Sequence, residues 1–204
     1  MTSEVRVSAP AKINLHLGVG PVGDDGYHPL ATVFQSIALY DELTLREADQ
    51  TSLTVSGEGV EVAQVPTDDS NLVLRAVAAL ARHHRRDDLT ASMHLRKRIP
   101  VAGGLAGGSS DAAAALVGLD SLYGLRTGRE ELSQIAAELG SDVPFCLHGG
   151  TALGTGRGEQ LAPLMSRGTY WWVLATDGSG LSTPQVYATY DRLHEGTSVA
   201  STHQ

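Results

Sequence analysis

The chain has 204 residues and a formal net charge of −8 at pH 7, with 42% hydrophobic and 19% charged residues. These values suit one large domain, or one domain and part of a second, and exclude a wholly disordered chain. The negative charge argues against a nucleic-acid partner but leaves room for a small anionic ligand at a local positive site. The single cysteine, Cys146, excludes an intramolecular disulfide and a cysteine metal cluster, which suits a cytoplasmic location. The N-terminal sequence does not predict a signal peptide, and no apolar run is long enough to predict a membrane-spanning helix.

In chain order, the first sixty residues have the pattern of strands. Apolar and polar residues alternate over 5–9 and 12–17, which predicts strands with Lys12, Asn14 and His16 on one face. The Gly-Asp-Asp-Gly sequence at 23–26 predicts a turn. Further strands are predicted at 30–39, 42–47, 52–56 and 90–98.

Helices are predicted in the later part of the chain. Residues 68–70 offer N-caps for a helix that starts near Leu72. A second helix is predicted up to Tyr123, and a third over 128–139 with Thr127 and Glu130 at capping-box spacing. A buried strand is predicted at 170–175 and a short helix near 184–194, before a polar end. The order of strands and helices indicates the α+β class rather than a regular series of βαβ units.

A glycine-rich segment at 100–110 carries the clearest functional signal. Four glycines within six residues allow close approach of a ligand to the backbone, and the helix that follows offers free N–H groups. The N-terminus of a helix carries a partial positive charge and binds phosphate well. Ser109 replaces the lysine of a Walker A loop and Leu105 replaces the second glycine of a dinucleotide fingerprint, so neither motif applies. The alternatives are a flexible linker and a tight helix–strand packing site.

Lys12 and Asp142 are candidates for phosphoryl-transfer chemistry. Asp142 follows a predicted helix, where its charge gains nothing from the helix dipole, so another use is plausible. A carboxylate can orient a hydroxyl or take its proton, and a cation offsets phosphate charge. The alternatives are a turn residue before proline for Asp142 and a solvated strand face for Lys12.

Tyr27 and His28 place an aromatic ring beside an imidazole in a loop, and together they could hold a nucleobase. The alternative is a partly buried anchor of the loop. The other histidines show no metal-ligand spacing, so no protein metal site is predicted. The Gly-Thr-Gly-Arg-Gly sequence at 154–158 predicts a turn or hairpin.

Taken together, the motifs resemble the GHMP kinase superfamily over about residues 5–193. Three blocks carry the resemblance: Pro10-Ala-Lys-Ile-Asn-Leu with the Gly-Tyr-His sequence at 26–28, the glycine-rich segment, and the Leu-Gly-Ser-Asp-Val-Pro block at 139–144. Within the superfamily, the Gly-Tyr-His block is typical of the kinases that phosphorylate the 2-hydroxyl of 4-diphosphocytidyl-2-C-methyl-D-erythritol, an intermediate of non-mevalonate isoprenoid synthesis. The implied fold is the GHMP kinase fold, with an N-terminal domain like ribosomal protein S5 domain 2 and a C-terminal α+β domain.

The resemblance implies a role for each candidate residue. Lys12 and Asp142 would be catalytic, with Asp142 activating the substrate hydroxyl. Asn14 would hold the substrate, whose cytosine would be bound by Tyr27 and His28 and by Tyr187 as a second aromatic. ATP, accompanied by Mg²⁺, would bind to the segment and to two flanking residues: Pro100, Val101, Ala102, Gly103, Gly104, Leu105, Ala106, Gly107, Gly108, Ser109, Ser110, Asn71 and Lys97.

The chain is shorter than members of the family and has no third glycine-rich motif after Tyr187. We therefore expect an N-terminal ATP-binding domain at 1–160 and an incomplete start of a C-terminal domain at 161–204. The implied partner is a small molecule with a cytidine diphosphate group, with no nucleic acid and no membrane, and the oligomeric state is not predicted. The alternatives are another small-molecule kinase of the superfamily and a non-catalytic protein that reuses the fold.

Overall fold

The computed structural model describes residues 3–24, 26–176 and 182–194. The predicted turn at 23–26 is present, since the Gly26 N–H donates to the Gly23 carbonyl at 3.0 Å, although Asp25 itself lies outside the described residues. The polar end predicted after residue 194 also lies outside them.

In the described ranges, six strands form one mixed sheet around a long central strand. In chain order they are β1 (Glu4–Val19), β2 (Leu30–Glu47), β3 (Ser52–Gly57), β4 (Ala91–Lys97), β5 (Thr151–Thr155) and β6 (Gln160–Pro163). The full length of β2 pairs antiparallel with β1, while its other edge pairs with β5 near its start and β4 near its end. β3 runs parallel to β4, and β6 is antiparallel to β5.

Five helices complete the described elements. They are α1 (Leu72–His84), α2 (Gly107–Tyr123), α3 (Arg129–Leu139), α4 (Val143–His148) and α5 (Thr183–His194). α1 and α2 pack on the sheet over a core that includes Leu43, Leu45, Leu80, Met93, Leu95 and Leu116. α2 approaches very closely at Gly118, where an added Cβ would lie 2.5 Å from Leu45 Cδ1. No helix in the described ranges is both long and apolar enough to span a membrane.

Most predicted elements are present, with shifted boundaries. The two strands predicted at 30–39 and 42–47 are one strand, because β2 continues through a register shift opposite Pro10 and Ala11. α2 begins at Gly107, inside the predicted glycine loop. The capping box predicted for α3 is wrong by one residue: the Gly128 N–H donates to the Glu131 carboxylate, whereas Thr127 bonds to Asp120.

The N-cap predicted for α1 within 68–70 is also wrong. The cap is Asn71, whose side-chain oxygen accepts from the Val73 N–H at 2.8 Å. Asp68 instead accepts from the backbone and hydroxyl of Ser70, an Asx-type turn that leads into the helix.

The buried strand predicted at 170–175 is wrong. This segment has no strand partner in the part of the chain that the structure describes, and Trp171 and Val173 are 91% and 99% exposed. Its tie to the sheet is one hydrogen bond of 3.1 Å from the Trp172 indole N–H to the Gln35 side chain. An apolar run becomes a strand only where a neighbouring strand accepts its hydrogen bonds.

Candidate active site

Lys12 and Asp142 come from distant parts of the chain and meet in space. Lys12 Nζ lies 3.3 Å from Asp142 Oδ2 and donates to Asn14 Oδ1 at 2.9 Å. Asn14 in turn donates to the Thr32 hydroxyl at 2.6 Å, and the Lys12 ammonium lies 5.0 Å from the centre of the Phe34 ring. The predicted pair is therefore held by a network that β1 and β2 provide.

The backbone around Asp142 leaves its carboxylate available. α3 ends at Leu139 and α4 begins at Val143, so Asp142 occupies the N-cap position of a short helix that the sequence did not predict. Its side chain makes no capping hydrogen bond and is 31% exposed. The carboxylate can therefore contact both Lys12 and a bound hydroxyl.

The glycine-rich segment curves into a concave surface. Ala102, Gly104 and Ala106 have positive φ angles of 55°, 71° and 57°, and residues between them do not. Such alternation forms backbone concavities that bind anions. Gly107 begins α2 directly above β4, where an added Cβ would lie 3.1 Å from both Lys97 Nζ and Ile99 Cγ2.

The segment lines a cavity of about 350 Å³. The first N–H in α2 with an intrahelical partner is that of Ser110, which donates to the Ala106 carbonyl at 2.9 Å. The N–H groups of the residues before it have no such partner by helix geometry, so they are free for phosphate oxygens. The cavity wall includes all the predicted ATP-binding residues except Ser110: Asn71, Lys97 and 100–109.

Three of the predicted ATP-binding side chains already have internal partners. The Ser110 hydroxyl donates to the Pro10 carbonyl at 2.6 Å and is buried. Asn71 caps α1 and donates to the Pro66 carbonyl at 2.6 Å. Lys97 Nζ contacts the carboxylates of Asp41 and Asp111, the latter at 2.6 Å. These side chains shape the cavity wall, and their contact with ATP stays a prediction.

The buried Lys97 cluster has an unusual charge balance. Burial opposes the charge on Lys97, but Asp111 and Asp41 outweigh this effect and raise its pKa. Burial raises the pKa of Asp111 to about 8 against the attraction of Lys97. One of its oxygens, Oδ1, is buried with no hydrogen-bond partner among the described residues. No local sequence pattern indicated this cluster.

A second cavity, of about 1050 Å³, lies on the other side of the glycine-rich segment. Gly104 and Ala106 line both cavities, so the two cavities adjoin at these residues. The wall of the larger cavity contains every residue predicted to be catalytic or to bind the substrate: Lys12, Asn14, Tyr27, His28, Asp142 and Tyr187.

Aromatic side chains of α5 cover one end of the larger cavity. The rings of His28 and Tyr187 stack with centroids 5.0 Å apart and planes at 17°. His28 Nδ1 lies 2.7 Å from the Gly20 carbonyl, and Nε2 lies 3.2 Å from Asp191 Oδ1. Burial, and then the charge of Asp142, raise the pKa of Tyr187, which keeps its hydroxyl neutral.

The structure adds site residues that were not predicted. Thr32, Phe34, Arg157 and Asp191 line the larger cavity. Tyr187 and Asp191 are four residues apart on a predicted helix, so their shared face was a signal for Asp191. No sequence signal indicated Thr32 and Phe34, because their positions in the site depend on the pairing of β2 with β1.

No group of three or more metal-ligating side chains occurs in the described ranges. Mg²⁺ in phosphoryl-transfer sites takes most of its ligands from the phosphates and from water. Ser109, on the wall of the smaller cavity, offers a hydroxyl oxygen for the remaining coordination. The residues present therefore fit a cation that is held mainly by ATP.

Comparisons with known proteins agree with this geometry. Residues 71–150 match the model of the GHMP kinases N terminal domain. The chain is 58% identical over 191 residues, which is 93% of its length, to a 4-diphosphocytidyl-2-C-methyl-D-erythritol kinase of Salinispora arenicola. It is also 58% identical over 193 residues to the kinase of that name from Nocardia farcinica. The chain spans 60% and 62% of the lengths of these two relatives.

Solved structures show the same fold. A crystal structure of a 4-(cytidine 5'-diphospho)-2C-methyl-D-erythritol kinase has a TM-score of 0.63 and 37% identity, and covers 78% of this chain and 55% of its own. A homoserine kinase of Cytophaga hutchinsonii shares the fold alone, at 18% identity and a TM-score of 0.59 over 93% of this chain and 65% of its own. The chain therefore carries a GHMP kinases N terminal domain at residues 71–150 and has the GHMP kinase fold.

Proposed function

We propose that this chain forms the nucleotide site and much of the acceptor site of a kinase that transfers the γ-phosphoryl group of ATP to the 2-hydroxyl of 4-diphosphocytidyl-2-C-methyl-D-erythritol, in the non-mevalonate route to isoprenoids. The observation that carries this proposal is the Lys12–Asp142 pair, 3.3 Å apart, beside the segment that lines both cavities. The substrate class follows from the relatives, which are named for this acceptor.

The pair supports transfer to an alcohol. Asp142 accepts the proton of the acceptor hydroxyl, whose oxygen forms a bond to the γ-phosphorus as the bond to the β–γ bridging oxygen breaks and ADP leaves. Lys12 neutralises part of the charge on the transferred group and on Asp142. Asn14 holds the Lys12 ammonium in place through its side-chain oxygen. Mg²⁺ bound to ATP would reduce the negative charge of the phosphates.

The nucleotide and the acceptor would occupy separate cavities. ATP phosphates would lie on the free N–H groups at the start of α2, with Ser109 beside the cation. The cytosine would lie near Tyr27, His28 and Tyr187 at the far end of the larger cavity. The 5.0 Å between the His28 and Tyr187 rings leaves no room for a base between them, so the base would stack on an outer face or part the two rings.

We also propose the two-part organisation expected at 1–160 and 161–204, and a cytoplasmic location. The sheet ends with β6 at Pro163, and α5 is the one element described after it. α5 nevertheless contributes to the larger cavity, because Tyr190 donates to the Val19 carbonyl at 3.1 Å and Asp191 contacts His28.

The test is ADP release from ATP with three acceptors: the diphosphocytidyl substrate, mevalonate and homoserine. The proposal predicts release with the first acceptor alone. Release with mevalonate or homoserine instead would assign the chain to a different kinase of the superfamily. No release with any acceptor, together with normal binding of ATP and of cytidine diphosphate, would contradict catalysis by this chain and support a non-catalytic role.

A further inference from the structure

The turn between β5 and β6 places Arg157 at the larger cavity. Gly156 and Gly158 have positive φ angles of 69° and 105°, which allow the tight reversal around Arg157. The turn is fixed at both ends, because the Leu30 N–H donates to the Gly156 carbonyl and the Arg157 N–H donates to a Glu159 carboxylate oxygen, both at 2.7 Å. These hydrogen bonds hold the backbone from which the Arg157 side chain extends.

The side chain of Arg157 lies against Tyr27. The guanidinium carbon is 4.3 Å from the centre of the Tyr27 ring, and both residues line the larger cavity. A guanidinium that stacks through its face keeps its N–H donors in the plane of the group, where they can reach a second partner. In the part of the chain that the structure describes, this guanidinium makes no ion pair with a carboxylate.

The charges around the larger cavity require such a cation if an anion is to bind. Four carboxylates line it, namely Glu138, Asp142, Glu159 and Asp191. The cationic lysine and arginine side chains on the same wall, within the described ranges, are Lys12 and Arg157. Lys12 is 7% exposed and already contacts Asp142 and Asn14, whereas Arg157 is exposed.

We propose that Arg157 binds the diphosphate of the acceptor substrate, with its guanidinium held in place by stacking on Tyr27. This assignment rests on the proposed function, which supplies a diphosphate next to a cytosine. A guanidinium donates two parallel hydrogen bonds to phosphate oxygens, whereas a lysine ammonium acts as a point charge. Arg157 would therefore fix the distance between the base and the reacting hydroxyl at Asp142.

Calorimetric titration of cytidine diphosphate and of cytidine tests this assignment. Arg157→Gln is expected to weaken cytidine diphosphate binding by about 10-fold to 100-fold, the usual effect of a charge-assisted hydrogen bond, with cytidine affinity changed less than about threefold. Arg157→Lys should lose part of this affinity. Arg167→Gln removes an exposed arginine that does not line the cavity and should bind like the wild type.

Two results would overturn the assignment. Equal losses for cytidine diphosphate and cytidine would mean that Arg157 acts through Tyr27 and not on the phosphates. Unchanged binding of both ligands would remove any role in recognition. The salt dependence gives an independent readout, because the wild type should lose cytidine diphosphate affinity with added NaCl more steeply than Arg157→Gln. If the wild type itself does not bind cytidine diphosphate, the proposed function fails too, whereas normal wild-type binding with an unaffected variant overturns this assignment alone.

Discussion

The backbone N–H of Lys12 donates to the carbonyl of Leu105 at 3.1 Å, so the strand that carries the candidate catalytic lysine is joined directly to the glycine-rich segment. The Ser110 hydroxyl makes a second link, to Pro10 on the same strand. Burial raises the pKa of Cys146 to about 12, so its thiol stays protonated 3.2 Å from Ser110 Oγ. Two hydrogen bonds therefore tie the strand that carries Lys12 to the glycine-rich segment and to the start of α2.

Ser110→Ala tests this connection. The substitution leaves the Pro10 carbonyl without its partner, which should lower the free energy of unfolding by about 1–3 kcal/mol. The turnover number should fall more than the affinity for ATP, because Lys12 is two residues from the lost bond. Denaturant unfolding and steady-state kinetics measure both effects. Ser109→Ala is the matched control and should change stability by less than about 0.5 kcal/mol. Unchanged stability and turnover in Ser110→Ala would contradict the connecting role.

Asp111→Asn tests the charge balance of the buried cluster. The pKa of Asp111 is about 8 in the folded chain and near the ordinary aspartate value of 3.8 in the unfolded chain. Between these values the folded state holds a proton that the unfolded state has lost. Wild-type stability should therefore fall as the pH rises from 4 to 8, relative to Asp111→Asn, by up to about 1.4 kcal/mol per pH unit.

The measurement is thermal unfolding of both proteins at pH 5, 6, 7 and 8. An asparagine resembles the protonated acid in size and hydrogen bonding, so the two curves should lie closest at the acidic end and separate as the pH rises. A wild type that gains stability over the variant with rising pH would show instead that Asp111 is an ordinary ionised partner of Lys97.

Tyr187→Ala tests whether the Tyr187 ring in the larger cavity stacks on the base. Stacking of a base on an aromatic side chain contributes about 1–3 kcal/mol, so cytidine affinity should fall by about 5-fold to 150-fold. Tyr187→Phe keeps the ring and should bind within about threefold of the wild type. Tyr170→Ala removes an exposed ring outside the cavity and serves as the control. Equal cytidine affinity in Tyr187→Ala and the wild type would exclude stacking on this ring.

Local sequence patterns predicted the parts of the site that are formed by residues close together in the chain. The glycines of 100–110 and the helix after them are adjacent in the chain, so their conformations follow from sequence. The pairing of Lys12 with Asp142 was proposed from chemistry and from a family resemblance. Its geometry required the fold, because 129 residues separate the two positions and the helix after Asp142, α4, packs on β1, α2 and α3.

Other features depend on tertiary packing that a single sequence does not display. Asp41, Lys97 and Asp111 are far apart in sequence and form one buried cluster because β2, β4 and α2 meet at that point. The apolar residues at 170–175 favoured a strand by composition, but no strand pairs with them among the described residues. In both cases the observed structure depends on residues that are close in space and distant in sequence.

The most direct test of the account is phosphoryl transfer from ATP to the diphosphocytidyl substrate by the wild type and by Asp142→Asn, with the affinities for ATP and for cytidine diphosphate measured in parallel. Loss of a positioned general base should slow transfer by about 10²-fold to 10⁴-fold. Both affinities should stay within about threefold, because Asp142 acts on the reacting hydroxyl. Transfer by Asp142→Asn at the wild-type rate, with unchanged affinities, would contradict the central role assigned to the Lys12–Asp142 pair.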